Sequence, residues 1–260
     1  MLRGRSCLPA ARLLALLLLL GLSPLPARAA EISVAAAADL QFALAEVAAR
    51  FTAATGQRVR LSFGSSGNYA RQIARGAPFD LYFSANESYV EHLVAAGLTR
   101  DGGRIYGHGR LVLYIADGRD LDPDTALADL AAQPGLRRLA IANPDHAPYG
   151  AAARAALLRA GSWDALAERL VFGENASQAT QFVSSGAADA GLVPYALVLA
   201  PQLAGRGRYR LLPADAHPPL RQRVVLLAGA SAGAAAFYAF VAGPEAHAIL
   251  ARYGFDPGSD

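Results

Sequence analysis

The chain has 260 residues, 53% of them hydrophobic, enough to bury one large core or two smaller ones. Its formal charge of +3 is an N-terminal effect. Arg3, Arg5, Arg12 and Arg28 fall in the first thirty residues with no acid among them, so the remaining 20 basic residues (24 less these four) face 21 acidic ones. That balance leaves no basic stripe and no polybasic tail, and no nucleic-acid partner is expected.

The chain opens with an export signal. Arg3, Arg5 and Arg12 form a positive segment, residues 13–20 form a short apolar core, and Ala27-Arg28-Ala29 offers a small-x-small cleavage pattern. The core is too short to span a bilayer. Residues 1–29 are assigned to a cleavable signal peptide and the mature chain to the periplasm of a two-membrane cell. Cys7, the sole cysteine, precedes the apolar core and cannot become a lipid anchor after it. The mature chain then has no thiol for a disulfide, a nucleophile or a metal site.

The first strand is expected over 32–36. Asp39 follows as a candidate N-cap, and Leu40, Leu44, Val47, Ala48 and Phe51 share one helical face that stops near Thr55-Gly56. Val59, Leu61 and Phe63 alternate as a second strand, which breaks at Gly64. Ser65-Ser66-Gly67-Asn68 then leads into the helical spacing of Tyr69, Ile73 and Ala74. A third strand over 79–83 runs through Ser84-Ala85-Asn86-Glu87 into a helix ending near Gly97. This β-α-β-α-β-α order predicts a parallel, doubly wound sheet, which binds ligands at the carboxyl ends of its strands. Those ends carry Ala38-Asp39, Ser65-Ser66 and Ser84-Ala85. Small hydroxylated residues before a helix aim backbone N–H groups and hydroxyls at one point, a setting suited to an anion.

The second half repeats the style. Strands are expected over 110–115, 139–142, 170–172 and 191–193, with a short helix from Thr125. The strand over 139–142 leads into Asn143-Pro144-Asp145-His146-Ala147-Pro148-Tyr149-Gly150 and a helix over 151–160. The next strand leads through Gly173-Glu174-Asn175-Ala176-Ser177 into another helix, and Pro194-Tyr195 turns into a third. A strand over 224–227 and helices over 232–241 and 245–253 finish the chain. The prediction is an α/β protein of two lobes with mostly parallel doubly wound sheets and a cleft between them. Lobe 1 is assigned to 30–108, completed by 216–260, and lobe 2 to 109–215. Crossovers are expected near 106–111 and 212–221, the latter stiffened by Pro213, Pro218 and Pro219.

Enzyme patterns fail. Gly64-Ser65-Ser66-Gly67-Asn68 lacks the closing glycine of a nucleophile elbow, and the five histidines show no His-x-x-x-His pair for zinc. His146 is read as a loop-structuring residue, Arg71 and Arg75 as surface charges. Gly205-Arg206-Gly207-Arg208-Tyr209-Arg210 is read as a solvated turn.

Phe63-Gly64-Ser65-Ser66-Gly67, Gly76-Ala77-Pro78-Phe79-Asp80-Leu81, Asn143-Pro144-Asp145-His146-Ala147-Pro148-Tyr149-Gly150, Gly186-Ala187-Ala188-Asp189-Ala190-Gly191 and Arg252-Tyr253-Gly254-Phe255 occur in order along the chain. With Ala35-Ala36-Ala37-Ala38-Asp39-Leu40, they resemble the periplasmic molybdate-binding proteins of ABC transporters. The resemblance implies the two-lobed periplasmic binding protein fold of type II. It also implies a tetrahedral oxyanion, molybdate or tungstate, held dry by N–H groups and hydroxyls, with no cofactor and no catalysis. Carried over by position, Ser66 gives a hydroxyl and N–H, Ala85 and Ala176 give N–H groups, and Tyr149 gives a phenol. Those four hold the molybdate, Ser65 and Asn175 support them, and Tyr195 lies one place off another tyrosine position. The implied partner is a membrane permease, and the protein is expected to be a monomer.

Asp39 departs from the pattern, standing where relatives place Ser or Asn. Three arrangements are open: its side chain turns away to cap its own helix; a proton on the ligand or on Asp39 lets the two share a hydrogen bond; or the ligand is something else, such as a different oxyanion or a ligand with its own donors. A secreted enzyme using Ser66 or His146 on an anionic substrate is the alternative of another class.

Overall fold

The structure, a computed structural model, describes residues 31–256. The signal-peptide assignment, 1–29, therefore lies outside the described residues. Ten strands form two five-stranded sheets. In chain order, β1 (Ile32–Ala37) is followed by a 3-10 turn (Ala38–Leu40) and α1 (Gln41–Thr55). Then come β2 (Val59–Gly64), α2 (Ser66–Ala74), β3 (Leu81–Ser84), α3 (Glu87–Ala95) and β4 (Arg104–Gly109). The chain crosses to the second sheet at Arg110. There it forms β5 (Leu111–Ala116), β6 (Leu139–Ala142), α4 (Pro148–Arg159), α5 (Trp163–Leu166), β7 (Leu170–Gly173), α6 (Ala176–Ser184), β8 (Ala190–Pro194), α7 (Tyr195–Val198) and β9 (Gly207–Leu211). It returns through residues 212–219 to β10 (Leu220–Leu226), α8 (Ala234–Val241) and α9 (Pro244–Arg252).

The sheet orders are β2-β1-β3-β10-β4 and β7-β6-β8-β5-β9. In each, three neighbouring strands run parallel and the fourth is antiparallel to both its neighbours. The sheets are thus mixed. The antiparallel members, β10 and β5, are the strands that follow the two crossings. β1, β2 and β3 correspond in position to β6, β7 and β8.

Central strands read as continuous apolar runs because helices cover both faces. β1 and β5 are buried along their whole length. The first sheet packs its core against α1, α8 and α9, with the Phe51 and Phe237 rings tilted at 60° and their centroids 5.1 Å apart. A second core gathers Leu111, Leu139, Ile141, Ala153 and Leu157 around β5, β6 and α4.

Two of the four edge strands, β4 and β9, depart from expectation. Residues expected in a crossover near 106–111 belong in part to β4, which pairs with β10, and the expected turn at Gly205–Arg210 overlaps residues 207–211, which pair antiparallel with β5. Arg208 and Arg210 donate to the carbonyls of Leu121, Pro123 and Thr125, fastening the loop before β6 over the sheet edge. Short arginine-rich strands at sheet edges lack the alternation that marks inner strands.

Candidate functional site

The carboxyl ends of the two sheets face each other around a small cavity. Ala37, Ala38, Asp39, Gly64, Ser65, Ser66 and Ala85 form one wall, from the loops after β1, β2 and β3. Ala147, Pro148, Tyr149 and Ala176 form the other, from the loops after β6 and β7. Asp39, Ser66, Ala85 and Tyr149 are each no more than 2% exposed.

Local chemistry explains the wall. Ser65 caps α2, its Oγ accepting from the Asn68 N–H at 3.4 Å, which places Ser66 at the first helical position. The Ala85 N–H donates to Ser66 Oγ at 3.1 Å, and the Tyr82 hydroxyl donates to the Ser66 carbonyl at 2.8 Å, tying the end of β3 to the start of α2. Asn175 caps α6 by accepting from the Gln178 N–H at 3.1 Å, which makes Ala176 the first residue of that helix. Pro148 begins α4, where its missing N–H costs nothing, and brings Tyr149 into the first turn. Gly150 is required behind it, because a Cβ there would run into the Ala142 carbonyl. Three helices, α2, α4 and α6, therefore start at the cavity with their positive ends toward it.

The two walls meet in a seam of backbone and short side chains. The Gly67 N–H donates to the His146 carbonyl at 2.9 Å, and Ser65 Oγ donates to the same oxygen at 2.6 Å. Ser65 Oγ also lies 2.8 Å from His146 Nδ1. A Cβ on Gly67 would stand 2.8 Å from that carbonyl, so only glycine lets the walls approach. Asn68 Nδ2 donates to Glu174 at 2.5 Å, and Ser177 Oγ donates to the Ala38 carbonyl at 2.9 Å.

Asp39 does not cap α1. It lies within the 3-10 turn, which carries no side-chain cap, and its carboxyl group turns inward. Gln222 Nε2 donates to Asp39 Oδ2 at 2.7 Å and to the Tyr149 hydroxyl at 3.1 Å. The Tyr106 hydroxyl donates to Gln222 Oε1 at 2.5 Å and fixes which way the amide faces. Asp39 Oδ1 is buried with no hydrogen-bond partner among the described residues. Burial pushes the Asp39 carboxyl up to about 6, opposed in part by Gln222 and the Tyr149 hydroxyl. Burial and the Asp39 charge together hold the Tyr149 hydroxyl well above its ordinary range, so it stays protonated.

The fold thus brings together Asp39, Ser65, Ser66, Ala85, Tyr149 and Ala176, with Asn175 just behind the wall as a cap. Tyr195 stands apart. Its N–H donates to the Arg110 carbonyl at 2.9 Å, its ring centroid lies 5.6 Å from that of Tyr209, and it does not line the cavity. Sequence reasoning missed Gln222 and Tyr106. A signal for Gln222 was present: Leu220, Gln222 and Val224 alternate inward along β10, and a glutamine in a core-facing register needs partners. Among the described residues no cluster of His, Cys, Asp and Glu side chains could hold a metal ion.

Comparison with known proteins adds four findings. Residues 32–256 match the model of a bacterial extracellular solute-binding protein family. The molybdate-binding protein ModA of Rhodobacter capsulatus is 38% identical over 244 residues, covering 93% of this chain and 94% of the relative. ModA of Azotobacter vinelandii is 35% identical over 90% of this chain and 93% of its own length. The solved periplasmic molybdate-binding protein of Azotobacter vinelandii superposes with a TM-score of 0.81 at 33% identity, covering 88% of this chain and all of that one.

Proposed function

The chain belongs to the bacterial extracellular solute-binding protein family, and from that membership we propose that it captures molybdate outside the cytoplasm for an ABC importer, accepting tungstate as well. The carrying observation is the small cavity between the sheets, too narrow for a bulky organic solute and walled by N–H groups and hydroxyls without a cationic side chain. Burying a dianion is costly unless fixed dipoles replace its water, and three helix starts with two hydroxyl groups supply them.

In this reading Ser66 gives its hydroxyl and N–H, Ala85 and Ala176 give N–H groups, and Tyr149 gives its phenol. All of them bind oxygens of the ion, and none touches the metal. Tyr149 accepts from Gln222, which leaves its own hydrogen to be shared between the Asp39 carboxyl and an anion. Ser65 and Asn175 hold the loops as caps. Lobe 1 comprises 30–108 completed by 216–260, and lobe 2 comprises 109–215. They close on the ion because each supplies part of its shell. The closed monomer delivers the ion to the membrane permease and catalyses nothing.

Thermal unfolding of the mature chain with molybdate, tungstate, sulfate and phosphate tests this. An ion at a hundred times its dissociation constant stabilises by about 2.7 kcal/mol, a rise of roughly 5–10 °C for a chain of this size. Molybdate and tungstate should give that rise. The proposal fails if no oxyanion shifts the transition, or if phosphate alone does.

A further inference from the structure

We infer that Asp39 enters binding as an acid: its Oδ1 carries a proton and donates a hydrogen bond to the captured oxyanion, so one proton is taken up with each anion. The inference rests on the oxyanion reading above and concerns the one wall residue that reading leaves unexplained.

The surrounding bonds decide which oxygen carries the proton. Tyr106 donates to Gln222 Oε1, so the Nε2 side of the amide faces Asp39. Both Nε2 hydrogens are then engaged, one by Asp39 Oδ2 and one by the Tyr149 hydroxyl. Oδ2 accepts whether or not the group is ionised. Oδ1, buried and unpartnered among the described residues, is the site left for a proton. Asp39 itself lines the cavity, and no cation stands beside it there. An ionised carboxylate and a dianion enclosed together would repel each other with little water to screen them. A neutral acid turns that repulsion into a donor. Burial, though opposed by the bonds from Gln222 and Tyr149, already lifts the group to about 6, and an adjacent dianion raises it further.

The neighbouring elements bring no competing charge. Tyr149 faces Asp39 from α4, Tyr106 from β4 and Gln222 from β10. α6 carries no ionisable residue. On α7, Tyr195 packs against Tyr209 instead. On α1, Glu46 and Arg50 are taken up in ion pairs with Arg252 and Glu245. β2 holds Arg60, paired with Glu31. His146 stands across the seam, with its Nδ1 2.8 Å from Ser65 Oγ.

The test is calorimetric titration of the mature protein with molybdate between pH 6.5 and 8, in pairs of buffers of different ionisation enthalpy. Molybdate stays a dianion throughout that range. Uptake of about one proton per anion, with affinity rising about tenfold for each unit the pH falls, is expected. Asp39→Asn keeps an acceptor for Gln222 and an N–H donor for the cavity, so it should bind with neither proton uptake nor a pH slope. Wild-type binding without proton uptake overturns the inference and leaves molybdate capture standing. A slope that persists in Asp39→Asn also overturns it, moving the proton to His146. Absence of any binding heat down to pH 5.5, with no thermal shift, overturns the function itself.

Discussion

The carboxyl ends of β1, β2 and β3 correspond in position to those of β6, β7 and β8, yet the two sets meet the cavity differently. In the first sheet all three ends reach it, through the small residues Ala38, Ser66 and Ala85. In the second only two do, through Tyr149 and Ala176. The third, at Tyr195, is where Ala85 stands in the other sheet, but its bulky ring turns outward onto Tyr209. The first half acts by close backbone approach; the second reaches in with one long aromatic side chain. A shared topology places the loops, and residue size decides which of them touch.

Four substitutions sharpen that contrast. The largest effect belongs to Asp39, held in the first half. Its carboxyl binds a proton up to about pH 6 in the fold but only to about 3.8 when unfolded, so protonation favours the folded state. Stability from this group is complete below pH 3.8, falls as the pH rises through 6, and is lower by about 3 kcal/mol at pH 8. Urea unfolding without oxyanion should therefore show Asp39→Asn more stable than wild type at pH 8 and equal to it near pH 4. Equal stability at both values would mean that the carboxyl is solvated. Next comes the seam. Gly67→Ala should cost affinity by about 2 kcal/mol while the melting temperature without oxyanion changes little, because its Cβ would stand 2.8 Å from the His146 carbonyl across the seam, whereas the Tyr89 hydroxyl at 2.9 Å is the end of a side chain that can swing aside. A large loss of stability instead would show that the seam is part of the folding core. The smallest effects compare the two styles of donor directly. Ser66→Ala should weaken molybdate binding by about 1–3 kcal/mol and Tyr149→Phe by about 1 kcal/mol, read by calorimetry. Gln222 keeps Asp39 as a partner in the second variant.

Periodicity made much of this legible from the residues. The inner strands and the loops after them are readable because Val59, Leu61 and Phe63 alternate and because small polar residues such as Ser65 and Ser66 precede a helical spacing. The edge strands were not, since Arg104–Gly109 and Gly207–Leu211 owe their conformation to partners far along the chain. The Asp39 environment was hidden for the same reason. Gln222 lies 183 residues away, and local rules made the aspartate an N-cap when long-range burial had the stronger claim.

The Gly67–His146 seam also bears on time. With the wall residues almost wholly buried, a captured ion leaves only after the seam parts, so its dissociation rate has a ceiling set by an opening motion. Molybdate and tungstate would then share one off-rate even if their affinities differed. The residence time of the cargo would be a property of a glycine and a carbonyl that never touch it.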